Sequence, residues 1–411
     1  MKVQNLSQDV MSFKCIICGK NLSIDYEQLT CSCGGLLEVV HDWSNINIKN
    51  ELANFEHVFS GVWRFKPLIH PLIQDEMIIT RGEGRTGLYK GNRKIHSFAN
   101  YSKILFKHEG ENPTGSFKDR GMTVALSEAK RLGKSRVICA STGNTSSSLA
   151  AFAAYGGLEA SVVIPKGKVA IGKLAQAVAY GANVLEVEGT FDTALAKVKE
   201  LASTKDLYLV NSINPWRLEG QKSIIFELLE QLQWQIPDYI VVPAGNLGNT
   251  SAFGKALQEA KELDLISDLP RIISVQATGA NPFAKYYISG SFEAEKYPNT
   301  LATAINIGDP VNREKAIRSI RSTDGMVISV SDQEILDAKA LLDGSGIGCE
   351  PASAASLAGI KMLVDEGKIL SNESSVAILT GHILKDPQII TDYHLNNIPG
   401  IKSTFRNTKT A

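Results

Sequence analysis

Glu109-Gly110-Glu111-Asn112-Pro113-Thr114-Gly115-Ser116-Phe117-Lys118-Asp119-Arg120-Gly121 sets one lysine where a breaker-rich loop meets a helix. Pro113 and Gly115 keep the approach non-helical. From Asp119 onward Met122, Leu126, Ala129 and Leu132 recur at helical spacing, which predicts a helix with one buried face starting right after Lys118. A lysine on such a junction is held by a rigid element and still opens into a cleft. That suits an amine that forms a Schiff base. A solvated helix-start lysine is the competing reading of this segment by itself.

The chain around it has 411 residues, more than one ordinary core holds, so two or three domains are expected. With 44% hydrophobic and 21% charged residues it has the balance of a soluble globular protein. Lys+Arg and Asp+Glu number 43 each, so net charge argues for neither nucleic acid nor an anionic membrane as partner. Met1 to Lys14 has no apolar core of signal-peptide type, and no apolar run reaches the roughly 20 residues of a membrane-spanning helix. A cytoplasmic enzyme is the expectation.

Four of the six cysteines crowd together at the start of the chain. Cys15-Ile16-Ile17-Cys18-Gly19 and Cys31-Ser32-Cys33-Gly34-Gly35 resemble the two knuckles of a zinc ribbon, with C-x-C in place of C-x-x-C in the second. A hairpin bringing the pairs together makes a tetrahedral thiolate site, with 36–40 as a following strand. A ribbon that keeps its shape without metal, or a redox pair, are the competing readings. The module, residues 1–45, is read as structural. Cys139 and Cys349 stand alone in apolar or small-residue contexts and read as packed thiols.

From Ser135 to Val210 short β-branched runs (136–140, 160–164, 184–187, 207–210) alternate with helical patterns (147–155, 172–180, 191–202). Strands separated by single helices pair in parallel through right-handed crossovers. A second set follows, with strands at 239–242, 271–275, 326–330 and 376–379 and helices at 218–232, 250–263, 332–342 and 352–364. Segment 289–314 reads as irregular, and Lys402 to Ala411 as a solvated tail. The expected fold class is α/β, with parallel-rich sheets in two lobes. Residues 46–125 are assigned to the first part of the large lobe with the Lys118 junction, 126–215 to the small lobe and 216–411 to the large lobe and tail.

Four loops lie at strand ends, where open α/β sheets bind ligands. The first carries Lys118. Ser141-Thr142-Gly143-Asn144-Thr145-Ser146 follows a strand and opens a helix, so its N–H groups and hydroxyls can cradle a carboxylate; an ordinary capped turn is the alternative. Pro243-Ala244-Gly245-Asn246-Leu247-Gly248-Asn249-Thr250 lets backbone approach a phosphate, and it is neither a Walker loop nor a dinucleotide fingerprint. Leu379-Thr380-Gly381-His382 offers a hydroxyl to a heterocyclic nitrogen, with His382 read as a structural hydrogen-bonder. An amine, an anion nest, an asparagine and a terminal hydroxyl are what pyridoxal 5′-phosphate requires.

Ser116-Phe117-Lys118-Asp119-Arg120-Gly121, Ser141-Thr142-Gly143-Asn144-Thr145 and Gly245-Asn246-Leu247-Gly248-Asn249 resemble the fold-type-II pyridoxal-phosphate enzymes, and the likeness runs through Pro387. Asn211-Ser212-Ile213-Asn214-Pro215-Trp216-Arg217-Leu218-Glu219-Gly220-Gln221-Lys222, with 300–312 and 380–386, is similar to threonine synthases and not to dehydratases. The chain departs at Gly82-Glu83-Gly84-Arg85-Thr86-Gly87-Leu88, where that family more often has proline at the Gly87 position.

The resemblance implies a two-lobed fold-type-II enzyme converting O-phospho-L-homoserine and water to L-threonine and phosphate. It implies that Lys118 holds the cofactor and shuttles protons, and that Asn144 meets the ring hydroxyl. Gly245, Asn246, Leu247, Gly248 and Asn249 then seat the cofactor phosphate, and Thr380 meets the ring nitrogen. A hydroxyl there, unlike a carboxylate, is expected to leave the ring a weaker electron sink. Ser141, Thr142 and Thr145 would take the substrate carboxylate, and Arg217, helped by Asn211 and Asn246, its phosphate. Cys15, Cys18, Cys31 and Cys33 would hold structural zinc, and the superfamily implies a homodimer. Cysteate synthesis from O-phosphoserine and sulfite, threonine dehydration, and a zinc-ribbon binding module with an inactive body are the alternatives.

Overall fold

In a computed structural model, residues 10–404 are described, apart from 45, 167–170, 190 and 205. The expected tail at 405–411 and the segment 1–9 lie outside the described residues. The strands in chain order are β1 (Met11–Cys15), β2 (Asn21–Leu22), β3 (Leu37–His41), β4 (Leu88–Lys90), β5 (Ile104–His108), β6 (Arg136–Ala140) and β7 (Glu159–Pro165). They continue with β8 (Asn183–Val187), β9 (Tyr208–Leu209), β10 (Tyr239–Pro243), β11 (Arg271–Ala277), β12 (Met326–Val330) and β13 (Ser375–Leu379). Two compact units result: the residues up to Arg85 with Lys118–Ile224, and Thr86–Phe117 with the residues from Ile225 onward.

The first unit holds two sheets. An antiparallel one, ordered β2-β1-β3, sets Cys15 opposite Leu37 and Met11 opposite His41. A parallel one is ordered β8-β7-β6-β9, as strands separated by single helices require. Six residues of β7 in a row are buried, the near-continuous run of a strand covered on both faces. Helix Lys118–Arg131 starts just after the loop that contains Pro113 and Gly115, and it meets helix Pro215–Gln231 backbone to backbone. A Cβ on Gly220 would lie 1.9 Å from the Arg120 carbonyl oxygen, and one on Gly121 would lie 2.7 Å from that of Arg217.

The second unit is a six-stranded sheet ordered β12-β11-β10-β13-β5-β4, parallel except for the antiparallel edge strand β4. Phe106, Val241, Ile273 and Ala377 on its strands pack with Ala354 and Leu357 of helix Pro351–Asp365 in one apolar cluster. One buried polar network runs beside it. Lys107 Nζ donates to Glu227 at 2.6 Å, to Gln231 at 2.9 Å and to the Thr86 carbonyl at 2.8 Å, while the Thr86 hydroxyl donates to Glu109 at 2.7 Å.

The four strands read between 136 and 210 pair as expected, and those at 239–242, 271–275, 326–330 and 376–379 lie in the second sheet. Boundaries differ from those drawn on the sequence. Residues 46–85 join the first unit, and so does the helix starting at Lys118, because its Gly121 face packs on the helix that begins at Pro215. Segment 289–314 is mainly irregular, although helix Pro282–Ser289 precedes it and helix Arg313–Ser322 takes over its end. Among the described residues no helix is long and apolar enough to cross a membrane.

Candidate active site

Each unit carries its share of the expected residues at the carboxyl ends of its parallel strands. In the first unit Lys118 is half-buried at the first position of its helix. The neighbouring Asp119 is fully buried, and the Ser148 hydroxyl donates to it at 2.6 Å, tying that helix to helix Asn144–Gly156. The Ser141–Thr145 loop leaves β6, with Ser141 Oγ accepting from Gly143 N–H at 3.2 Å. Gly143 precedes the helix, whose first N–H groups have no partner within the helix. The half-buried loop thus offers hydroxyls and N–H groups to an anion.

Asn211 does something else with its amide. Oδ1 accepts from Ala140 N–H at 2.9 Å and Nδ2 donates to Ala140 C=O at 3.0 Å, so both functions of the side chain clamp the strand end before Ser141. Arg217 lies at the same edge, where Nη1 donates to the Val210 carbonyl at 3.2 Å. The side chain is 2% exposed, and Nε and Nη2 are buried with no hydrogen-bond partner. Burial lowers its pKa to about 10. A desolvated cation with two idle donors is costly unless an anion completes it.

In the second unit the loop 245–249 leaves β10 and Thr380 leaves β13, and these strands are hydrogen-bonded neighbours. Leu247 takes the left-handed conformation (φ 63°) just before helix Gly248–Glu262, turning successive N–H groups toward one concavity. Gly245 is tightly enclosed, since a Cβ would sit 3.1 Å from the Ala304 carbonyl oxygen and 3.2 Å from Ile305 Cα. Among the described residues Asn249 Oδ1 is buried without a partner, and Asn312 Nδ2 donates to the Asn246 carbonyl at 3.3 Å.

Thr380 is buried and already engaged. Its hydroxyl donates to Glu350 Oε1 at 3.0 Å and stands 3.0 Å from Ser353 Oγ. The Gly381 N–H donates to that same Ser353 hydroxyl at 3.0 Å. Phe117 N–H donates to the Thr380 carbonyl at 3.0 Å, so the strand-like approach to Lys118 is stitched to this turn. Glu350 and Ser116 (fully buried, hydroxyl unpartnered) escaped the sequence reading. Glu350 belongs to no motif, and only the fold brings it to Thr380. Burial lowers the pKa of His382, and its Nδ1 accepts from Leu384 N–H at 3.2 Å, a structural use.

Taken unit by unit, the donors suit parts of pyridoxal 5′-phosphate: a lysine at a helix start in the first, and in the second a glycine loop for an anion, a buried amide oxygen and a buried hydroxyl. The proline departure also has a local reason, because Gly87 N–H donates to Glu111 at 2.6 Å and proline has no N–H to give. A separate cavity of about 630 Å³, lined by Phe59, Trp63, Arg81 and Tyr155 among others, contains none of these residues.

Cys15, Cys18, Cys31 and Cys33 bring their sulfurs within 4.8 Å of one another. Cys15 and Cys33 are 3.5 Å apart and Cys18 and Cys31 3.7 Å, too long for disulfides. Sulfurs on a tetrahedral zinc stand ~3.8 Å apart. The Cys33 backbone N–H holds the Cys31 thiol down to about 6, which favours thiolate. The set fits zinc.

Residues 79–381 match the family described as pyridoxal-phosphate dependent enzyme. A threonine synthase of Methanocaldococcus jannaschii is 48% identical over 377 residues, covering 91% of this chain and 93% of the relative. One of Methanosarcina acetivorans is 49% identical over 383 residues, 92% and 93% of the two chains. Among solved structures, maize serine racemase superposes with a TM-score of 0.65 at 22% identity, over 84% of this chain and 95% of that one. A processed threonine deaminase from Solanum lycopersicum gives 0.67 at 20%, over 85% and 94%. At such identities these two structures speak for the fold alone.

Proposed function

The chain belongs to the threonine synthases, within the pyridoxal-phosphate-dependent enzymes, and from that premise we propose how its residues turn O-phospho-L-homoserine and water into L-threonine and phosphate. Lys118 would hold the cofactor's aldehyde carbon, and the N–H groups of Gly245–Asn249, with Asn246, Leu247 and Gly248 between, its phosphate. Asn144 would meet the ring hydroxyl and Thr380 the ring nitrogen. When bound, the cofactor supplies the electron sink for the carbanions of the reaction.

Lys118 would be the base that takes protons from Cα and Cβ and the acid that returns protons to Cγ and Cα, while phosphate leaves Cγ and water gives its hydroxyl to Cβ and its proton to the released phosphate. Ser141, Thr142 and Thr145 orient the substrate carboxylate from a helix N-terminus. Arg217 would grip the departing phosphate, with Asn246 as a further donor to it. Asn211 serves that grip indirectly, by fixing the strand end at Ala140. The Thr380 hydroxyl gives its proton to Glu350, which leaves its oxygen as an acceptor toward the ring nitrogen. That arrangement favours a protonated nitrogen, and so a stronger sink than a hydroxyl alone suggested. A homodimer in the cytoplasm belongs to the same reading.

The observation that carries the assignment is the buried Arg217 guanidinium with two unpartnered nitrogens. A dehydratase has no second phosphate to place. Arg217→Leu is expected to raise the KM for O-phosphohomoserine on the order of 100-fold, the worth of a lost charge-assisted pair. Cofactor affinity should stay within about twofold. Equal binding of both ligands by wild type and variant would remove Arg217 from the phosphate.

A further inference from the structure

The reaction leaves the N-terminal sheet without a task, yet this sheet is fastened to the helical turn that presents Arg217. Phe13 of β1 meets Trp216 edge to face, ring centroids 5.7 Å apart, and His70 stacks on the same indole at 4.3 Å. His41 of β3 sets Nε2 2.9 Å from Glu219, and Lys222 Nζ lies 2.6 Å from that carboxylate and 3.4 Å from the imidazole. Lys222 also donates to the Leu68 carbonyl at 3.0 Å. Trp216, Glu219 and Lys222 are at most 1% exposed and flank Arg217 on both sides along the chain.

The other end of the sheet is the cysteine cage. Cys15 closes β1 on the same buried face as Phe13, and Cys31 and Cys33 lead into β3. A Cβ on Gly35 would lie 2.6 Å from Cys15 Sγ, so the second knuckle presses directly on the first strand. Among the described residues the Arg217 guanidinium makes one hydrogen bond, to the Val210 carbonyl. Its position therefore rests on what packs against Trp216 and Glu219.

We propose that the four-cysteine sheet is the mount of Arg217: closed by a tetrahedral thiophilic ion such as zinc, it presses Phe13 and His41 onto the 216–222 turn and so sets the affinity for substrate phosphate. The proposal rests on Arg217 as the phosphate ligand, and it makes His41 and Phe13 positioning residues. Misplacing a binding group by about 1 Å is enough to lose much of its effect.

The test uses cofactor-loaded enzyme, titrated with inorganic phosphate by calorimetry and assayed with O-phosphohomoserine. Metal-replete wild type is compared with chelator-stripped wild type, with His41→Ala and with His41→Gln, whose amide can still donate to Glu219. Stripping and His41→Ala should each weaken phosphate binding and raise KM about tenfold. kcat and cofactor affinity should stay within about twofold, and His41→Gln should recover most of the loss. Unchanged phosphate affinity in the stripped enzyme, while Arg217→Leu loses it, overturns the mount and leaves the phosphate seat standing. Arg217→Leu binding phosphate like wild type removes the seat and the mount together. Parallel loss of cofactor and of helical circular dichroism on stripping marks a general stabiliser and also overturns the proposal.

Discussion

Arg217 is a cation kept from water, and that placement decides how it titrates. Its folded pKa of about 10 lies below the unfolded value, so in the folded state the charge costs stability at neutral pH. The cost fades as pH rises through 10, where the folded protein sheds the proton first. A bound phosphate needs the charge, so its affinity should fall above pH 10. Arg217→Leu should show no matching step in the same calorimetric titration. Cys139 nearby does not neutralise the arginine, since burial pushes its thiol up to about 12. Glu350 behind Thr380 makes a second case. Glu350→Gln replaces an acceptor by a group that can donate, which frees the Thr380 proton. The ring nitrogen of the bound cofactor should then lose its proton more readily, which moves the pH titration of the cofactor's visible absorbance to higher pH, and kcat should drop about tenfold with KM little changed. Superimposable titrations would leave Glu350 a packing residue. Lys118 and Arg217 could be nominated from the sequence because breakers and helix starts surround them, and their roles remain part of the proposal. Glu350 was not, because its meaning lies in a hydroxyl that the fold alone brings within 3.0 Å.

Between elements, the contact that matters most is the crossing of helices Lys118–Arg131 and Pro215–Gln231. Their backbones touch through Gly121 and Gly220, so Lys118 and Arg217, the proposed phosphate ligand, are carried by one close-packed helix crossing. Gly220→Ala has a backbone oxygen 1.9 Å from its new methyl group and no flexible neighbour to yield. It should lose about 1–3 kcal/mol in denaturant unfolding and raise KM for O-phosphohomoserine. Asn211→Ala strands two buried backbone groups of Ala140 and should cost about 1–3 kcal/mol by the same measurement. The alternation of strands and helices from 136 to 210 was readable because its apolar runs are uninterrupted. Strand β5 hid behind Lys107 and His108, polar residues that belong in the interior only because Glu227, Gln231 and the Gly348 carbonyl receive them. Helices Arg93–Ala99 and Pro387–His394 are too short for periodicity to mark them.

For the molecule as a whole, the six thiols fall into two populations. Cys139 and Cys349 are fully buried, while Cys18 and Cys33 are exposed in the cage they share with Cys15 and Cys31. Chelator-stripped enzyme should expose four thiols to an aromatic disulfide reagent in native buffer and all six in denaturant; a native count of six would place a core thiol in reach of solvent. The unit boundaries were the least legible feature of the sequence, because neither unit is one continuous stretch. That discontinuity reaches back to how the chain is born. β5 leaves the ribosome with residues 104–108, but the strand it must lie beside, β13, comes with residues 375–379. At ordinary rates of synthesis the wait is roughly 15–50 s, during which an apolar edge stands uncovered. A nascent chain of this design carries an unpaired strand edge, the kind of surface that chaperones shield, until almost its last strand has been translated.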